Sequence, residues 1–192
     1  MRAPFALALA LLFAVPAAAQ DMTGLPPAPP QPAADSADVA SPEALVAAVY
    51  ASLDREPGGQ HDWGRFLSLY APAATLLPNP EQTGGEPRAF SPQGYVDFIE
   101  GLYASVGFIG SANDQGFTER ELHNVTHRFG DVAVVFSTYE KFRWDDDRSL
   151  GRGINSFQLI RRDGRWSVVA AAWDEEVGAG PIPAAYLPAA AE

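Results

Sequence analysis

Phe129-Gly130-Asp131-Val132-Ala133-Val134-Val135-Phe136-Ser137-Thr138-Tyr139-Glu140 is the stretch whose reading decides the fold. Gly130-Asp131, two turn-forming residues, separates two runs rich in β-branched and aromatic side chains, the pattern of a hairpin with a two-residue loop. The first run reaches back to Phe117 and the second on to Trp144. Asp145 to Arg152 is a charged, glycine-ended turn into a third run, Gly153 to Arg161, and Asp163-Gly164 turns tightly into a fourth, Arg165 to Glu175. Phe117 to Glu176 thus predicts four consecutive antiparallel strands.

Helical spacing dominates upstream of this meander. Ser41-Pro42-Glu43-Ala44 supplies an N-cap, a proline at the first helical position and an acid in the first turn. Leu45, Val49 and Leu53 then recur at helical spacing until Glu56-Pro57-Gly58-Gly59 stops the helix. Asp62 caps a second helix to Tyr70, with Trp63, Phe66, Leu67 and Tyr70 on one stripe, and Ala74-Thr75-Leu76-Leu77 follows as a short strand. Ser91-Pro92 caps a third helix, Gln93 to Val106, that points Tyr95, Phe98, Ile99, Leu102 and Tyr103 inward. Helices followed by a meander predict an α+β fold with the helices on one sheet face.

The first 19 residues run from a single cation, Arg2, through an apolar stretch to Pro16-Ala17-Ala18-Ala19. This is the order of a secretory signal peptide, and its apolar run is shorter than the roughly 20 residues that span a bilayer. Residues 20–42, dominated by proline and alanine, read as a linker. Residues 43–177 form the domain, and 178–192 are expected to be a disordered tail. The expected location is secreted or periplasmic, with no membrane association once the leader is cleaved.

The formal charge of −11 disfavours nucleic acid, because an acidic surface repels phosphate backbones. The absence of cysteine excludes disulfides and thiolate metal sites. No phosphate-cradling glycine loop or nucleophile elbow is present, so no cofactor is expected. The expected partner is a small apolar or amphipathic ligand, with a homodimer through the outer sheet face as a further expectation.

Phe117-Thr118-Glu119-Arg120-Glu121, the hairpin quoted above, Arg152-Gly153-Ile154-Asn155-Ser156-Phe157-Gln158-Leu159 and Gly164-Arg165-Trp166 with Trp173-Asp174-Glu175-Glu176 together resemble an exported branch of the nuclear transport factor 2-like (NTF2-like, or SnoaL-like) superfamily. The phrase Asp62 to Pro72 fits the same pattern. The resemblance implies a cone-shaped fold in which a strongly curved antiparallel sheet wraps a helix and leaves a pocket at one end. It implies no reaction, since the superfamily includes isomerases, cyclases, dehydratases and non-catalytic modules.

Candidate chemistry follows from strand parity. Glu119, Glu121 and His123 alternate onto one face of their strand, and a carboxylate beside a histidine on a concave surface is the minimum for acid/base work. Glu121, His123 and Tyr139 are therefore the catalytic candidates, weighed against a solvated stripe on a convex surface. His123 and His127 lie roughly 13 Å apart along a strand, too far to chelate one ion, so no metal site is expected. Tyr139, Asn155, Gln158, Trp173 and Trp63 are the ligand-binding candidates. Tyr139 and Asn155 would donate hydrogen bonds to a ligand oxygen. Asn155 and Gln158, three apart on one strand, must face opposite sides. In the structural alternative, Arg152 pairs with Glu140 or Glu175, Asn155 bonds a neighbouring strand and Trp173 packs on a helix.

Overall fold

Each of the first three helices starts at a side-chain cap. Ser41 Oγ accepts the Ala44 N–H at 3.1 Å, Asp62 Oδ1 accepts that of Arg65 at 2.9 Å, and Ser91 Oγ accepts that of Gly94 at 3.0 Å. These caps satisfy N–H groups that the first helical turn leaves without partners. The resulting helices are α1 (Pro42–Leu53), α2 (Trp63–Leu69) and α3 (Pro92–Val106). The computed structural model describes residues 30–107, 109–144, 146 and 148–189. The leader expected at 1–19 and the first part of the linker lie outside the described residues. Among the described residues, no helix is long and apolar enough to cross a membrane.

The strands are β1 (Tyr70–Leu77), β2 (Thr118–Phe129), β3 (Val132–Phe142), β4 (Ser149–Arg162) and β5 (Arg165–Glu175). They form one sheet in the order β1-β5-β4-β3-β2. The meander β2 to β5 is antiparallel, whereas β1 pairs in parallel with β5, so the sheet is mixed. The helices lie across one face. Leu45 and Val49 of α1, Phe66 and Leu69 of α2, and Leu76 of β1 pack there against Val135, Phe157, Leu159, Trp166 and Val168.

Two segments expected to be loose are packed. In the linker, Gln31 donates to Tyr70 O and Ser167 Oγ, Asp38 holds Arg65 through two contacts of 2.8 Å, and Val39 is buried and accepts the Trp166 N–H. The described part of the linker is therefore tied to α2, β1 and β5. Beyond β5, a short helix α4 (Glu176–Ala179) leads to a 3-10 turn at Ala184–Tyr186 that lies over β2 and β3. Thr138 Oγ1 donates to Tyr186 O, the Tyr186 ring meets Phe136 at 5.4 Å, and Ile182 is buried. The tail expected to be disordered over 178–192 is thus a strap on the outer sheet face as far as residue 189. Its apolar residues, spaced too irregularly to predict an element, cover apolar side chains of the convex face.

One irregularity repositions the expected site. Counting back from the Gly130-Asp131 turn, Glu121 would face Glu140, but it pairs with Tyr139, while His123 pairs with Thr138. Leu122 is the extra residue of a β-bulge, and a bulge inverts side-chain parity on either side of it. Glu119 and Glu121 consequently face the same side as Lys141 and Tyr139. His123 pairs with Thr138, whose side chain meets the strap on the outer face. The expectation that Glu119, Glu121 and His123 share one face is corrected by this bulge.

Candidate functional site

Between the helices and the concave sheet face lies a cavity of about 280 Å³. Helix α3 lines it with Tyr95, Phe98, Ile99, Leu102 and Tyr103, the stripe that its helical spacing turns inward. Trp63 and Phe66 of α2, Phe157 of β4 and Trp173 of β5 complete an apolar and aromatic wall. The cavity reaches solvent beside α3, where Leu102 is 48% exposed. Trp173 meets Tyr95 edge-on at 5.4 Å and donates its indole N–H to Gln82, and Trp63 donates its own to Glu100 at 2.6 Å. Both indole N–H groups are thereby committed at the rim, leaving ring surface for the interior.

Glu119, Tyr139, Lys141, Asn155 and Glu175 place polar groups in this wall. Lys141 Nζ and Glu175 Oε1 pair at 2.6 Å across the strand between them. Glu119 lies opposite Lys141 in the β2–β3 register, yet no hydrogen bond or ion pair satisfies its carboxyl among the described residues. Its residual exposure is to the cavity, and protein surrounds it elsewhere. Burial pushes this carboxyl up to about 8, against the pull of Lys141 and with the help of the Glu175 and Asp54 charges. The Tyr139 hydroxyl is raised above its ordinary value by burial and by the Glu119 charge. His61, on the same wall, is held neutral. Burial lowers its pKa despite the Leu53 carbonyl that accepts from Nδ1 at 2.6 Å, and Nε2 accepts the Tyr103 hydroxyl proton at 3.3 Å.

The sequence candidates divide accordingly. Tyr139, Asn155, Trp173 and Trp63 line the cavity, whereas Glu121, His123 and Gln158 do not. Glu121 points to the concave side but accepts hydrogen bonds from Ser137 Oγ and Asn124 Nδ2, while His123 lies beyond the bulge on the other face. Gln158 is exposed, as its parity against buried Asn155 requires. Asn155 bonds a helix rather than a strand, donating to Tyr50 OH at 3.0 Å, and Arg152 pairs with Glu176 rather than Glu140 or Glu175. Glu119 and Lys141 were the residues that sequence reasoning did not select. Lys141 shares the face of Tyr139 by simple alternation along β3, whereas the parity of Glu119 becomes visible only with the bulge counted.

A carboxyl with a raised pKa makes a stability prediction with a definite sign. The folded state holds the Glu119 proton up to about pH 8, whereas the unfolded chain releases it near the ordinary value of 4.5. Stability from this group is therefore complete below 4.5 and declines as pH rises toward 8. Glu119→Gln is expected to gain stability over the parent progressively through that window, by at least about 1.4 kcal/mol above pH 8, the equivalent of one pKa unit. Urea midpoints from pH 4 to 9 check it, and a pH-independent difference would contradict it.

No protein-family model and no curated protein matches the chain. Among solved structures, a protein of unknown function with a cystatin-like fold from Nostoc punctiforme aligns with a TM-score of 0.51 at 17% identity, over 70% of this chain and 87% of that one. LinA aligns with a TM-score of 0.51 at 12% identity, over 72% of this chain and 89% of that one. An NTF2-like protein of unknown function from Silicibacter pomeroyi aligns at 16% identity over 69% and 91% of the two chains, with a TM-score of 0.46. At these identities the likeness to the first two is one of fold alone, and the helices laid across a curved, open sheet make the cone-shaped NTF2-like type of α+β fold.

Proposed function

We propose that this domain is an exported module that holds a small, largely apolar ligand between its curved sheet and its helices. The observation that carries the reading is the aromatic cavity of about 280 Å³, the lower end of the size range of small-molecule sites, with a few polar groups set in an apolar wall. Export rests on the charged, apolar and small-residue order of residues 1–19. A titration with the uncharged fluorophore N-phenyl-1-naphthylamine tests binding. Saturable enhancement at one probe per chain is the expected result, and a linear, non-saturating rise would overturn it.

One observation favours a second, catalytic reading. A carboxyl poised near pH 8 inside a cavity is suited to moving a proton in a cofactor-free lyase, isomerase or hydrolase, and that carboxyl is Glu119 rather than Glu121 or His123. Self-association through the sheet is a third use of the fold, and any such homodimer must work around the strap over β2 and β3.

A further inference from the structure

The hydrogen bonds beneath the cavity have a fixed direction. A carboxylate at Glu121 can only accept, and it takes the Ser137 hydroxyl proton. Ser137 Oγ must then accept the Tyr50 hydroxyl proton, at 2.7 Å. Tyr50 OH, its one proton used, accepts from Asn155 Nδ2 at 3.0 Å. This chain of donors fixes the Asn155 amide, whose orientation would otherwise be ambiguous. Its Oδ1, with no partner among the described residues, is the atom of the amide left for the cavity. The residue expected to donate to a ligand instead presents an acceptor.

The charges have the same bias. Glu119 and Glu175 line the cavity against one cation, Lys141, and Lys141 is already paired with Glu175. Arg55, the neighbouring cation outside the lining, is paired with Asp114 at 2.7 Å. The remaining titratable groups set toward Glu119 are Asp54 at the end of α1 and the hydroxyls of Tyr50, Tyr70, Tyr95 and Tyr139, from α1, β1, α3 and β3. Neutral His61 lies on the same wall. Among the described residues none of these supplies a positive charge, so an ionised Glu119 shares Lys141 with Glu175 unless the ligand brings a cation of its own. The ring surfaces of Trp63, Trp173 and Tyr95 on the cavity wall favour a cation over an anion through their negative faces, while Arg55 already lies over the Tyr103 ring at 5.5 Å.

We infer that the ligand is an amphipathic monocation, an ammonium-type group on an apolar body, with its N–H donors directed to Glu119 and its body against the aromatic wall, where Asn155 Oδ1 adds an acceptor rather than a donor. The inference rests on the binding reading above and names its ligand class. Because burial holds Glu119 protonated at pH 7, binding of the cation displaces that proton to solvent, and the charge inside stays balanced.

Calorimetry with three probes on one skeleton tests it: 1-naphthylmethylamine, 1-naphthalenemethanol and 1-naphthoate. The amine is expected to bind at least about tenfold tighter than the alcohol, with the carboxylate weakest, and to release up to one proton at pH 7 when read in buffers of different ionisation enthalpy. Glu119→Gln should collapse the amine-to-alcohol ratio toward one and abolish proton release. If that variant fails to fold, the parent alone decides, since amine affinity must rise between pH 6 and 8.5 while alcohol affinity does not. An alcohol or carboxylate that binds as tightly as the amine overturns the ligand class and leaves the binding pocket standing. Failure of all three probes, together with N-phenyl-1-naphthylamine, overturns the pocket as well.

Discussion

Asp114→Ala is expected to destabilise the domain by about 3–5 kcal/mol, the scale for removing one partner of a buried ion pair. Asp114 Oδ1 meets Arg55 Nη1 at 2.7 Å, and both side chains are 1% exposed. The same carboxylate accepts N–H groups from Gly58, Gly110 and Gly116 at 2.9, 2.8 and 3.2 Å. It therefore ties the loop after α1 to the segment between α3 and β2, and Arg55 continues the tie by backbone pairing with Phe117 on the cavity wall. Alanine would leave a guanidinium buried beside a void and three N–H groups without an acceptor. Chemical denaturation checks the magnitude, and a loss under 1 kcal/mol would contradict it.

The same group gives the domain an acid limit. Burial alone would raise the Asp114 pKa, but the donated N–H groups and Arg55 outweigh it and hold the carboxyl well below the ordinary carboxylate range. A depressed pKa contributes stability that is complete above the ordinary value of 3.8 and is lost as pH falls below it toward the folded value. Glu119 acts with the opposite sign at higher pH. Stability is thus expected to peak in mildly acidic solution, and Asp114→Asn should flatten only the acid side of the profile.

Gly153→Ala is expected to cost about 3 kcal/mol, the upper end for overpacking a filled site. Gly153 sits opposite Tyr139 on β3 and Glu175 on β5. A Cβ there would fall 2.5 Å from the Tyr139 hydroxyl oxygen and 2.7 Å from Cζ, and would also press on the Asp174 carbonyl oxygen. The backbone contact cannot be relieved by a rotamer change, so β4 and β5 must separate or Tyr139 must be pushed into the cavity. Adding Tyr139→Phe removes only the hydroxyl contact and should restore less than half of the loss. Thermal unfolding of the single and double variants reads both effects, and a single variant as stable as the parent would contradict the steric account.

Much of the cavity wall was legible from the chain. The caps at Ser41, Asp62 and Ser91 and the inward stripe Tyr95, Phe98, Ile99, Leu102 and Tyr103 follow from local hydrogen bonding and a 3.6-residue period. Strand parity separated Asn155 from Gln158 before any coordinate was needed. The bulge at Leu122 defeated the same argument on β2, because one unpaired residue in a twelve-residue strand leaves no compositional mark while reversing the faces on either side of it. His123 was lost from the site by that reversal, and Glu119 took the place expected of Glu121.

The sequence by itself determined the three capped helices and the strands of the meander, because capping chemistry, turn residues and hydrophobic period act over a few residues. It also determined that an aromatic helix face would meet a sheet. Only the tertiary structure decided that β1 adds in parallel to β5, that the described part of the linker and the C-terminal strap pack on the domain, and that Glu119 has no pairing partner among the described residues while Lys141 is taken by Glu175. Those outcomes depend on contacts between residues tens of positions apart, and the pKa of a carboxyl depends on which charges and how much water surround it. Neither quantity is written in the residues next to it.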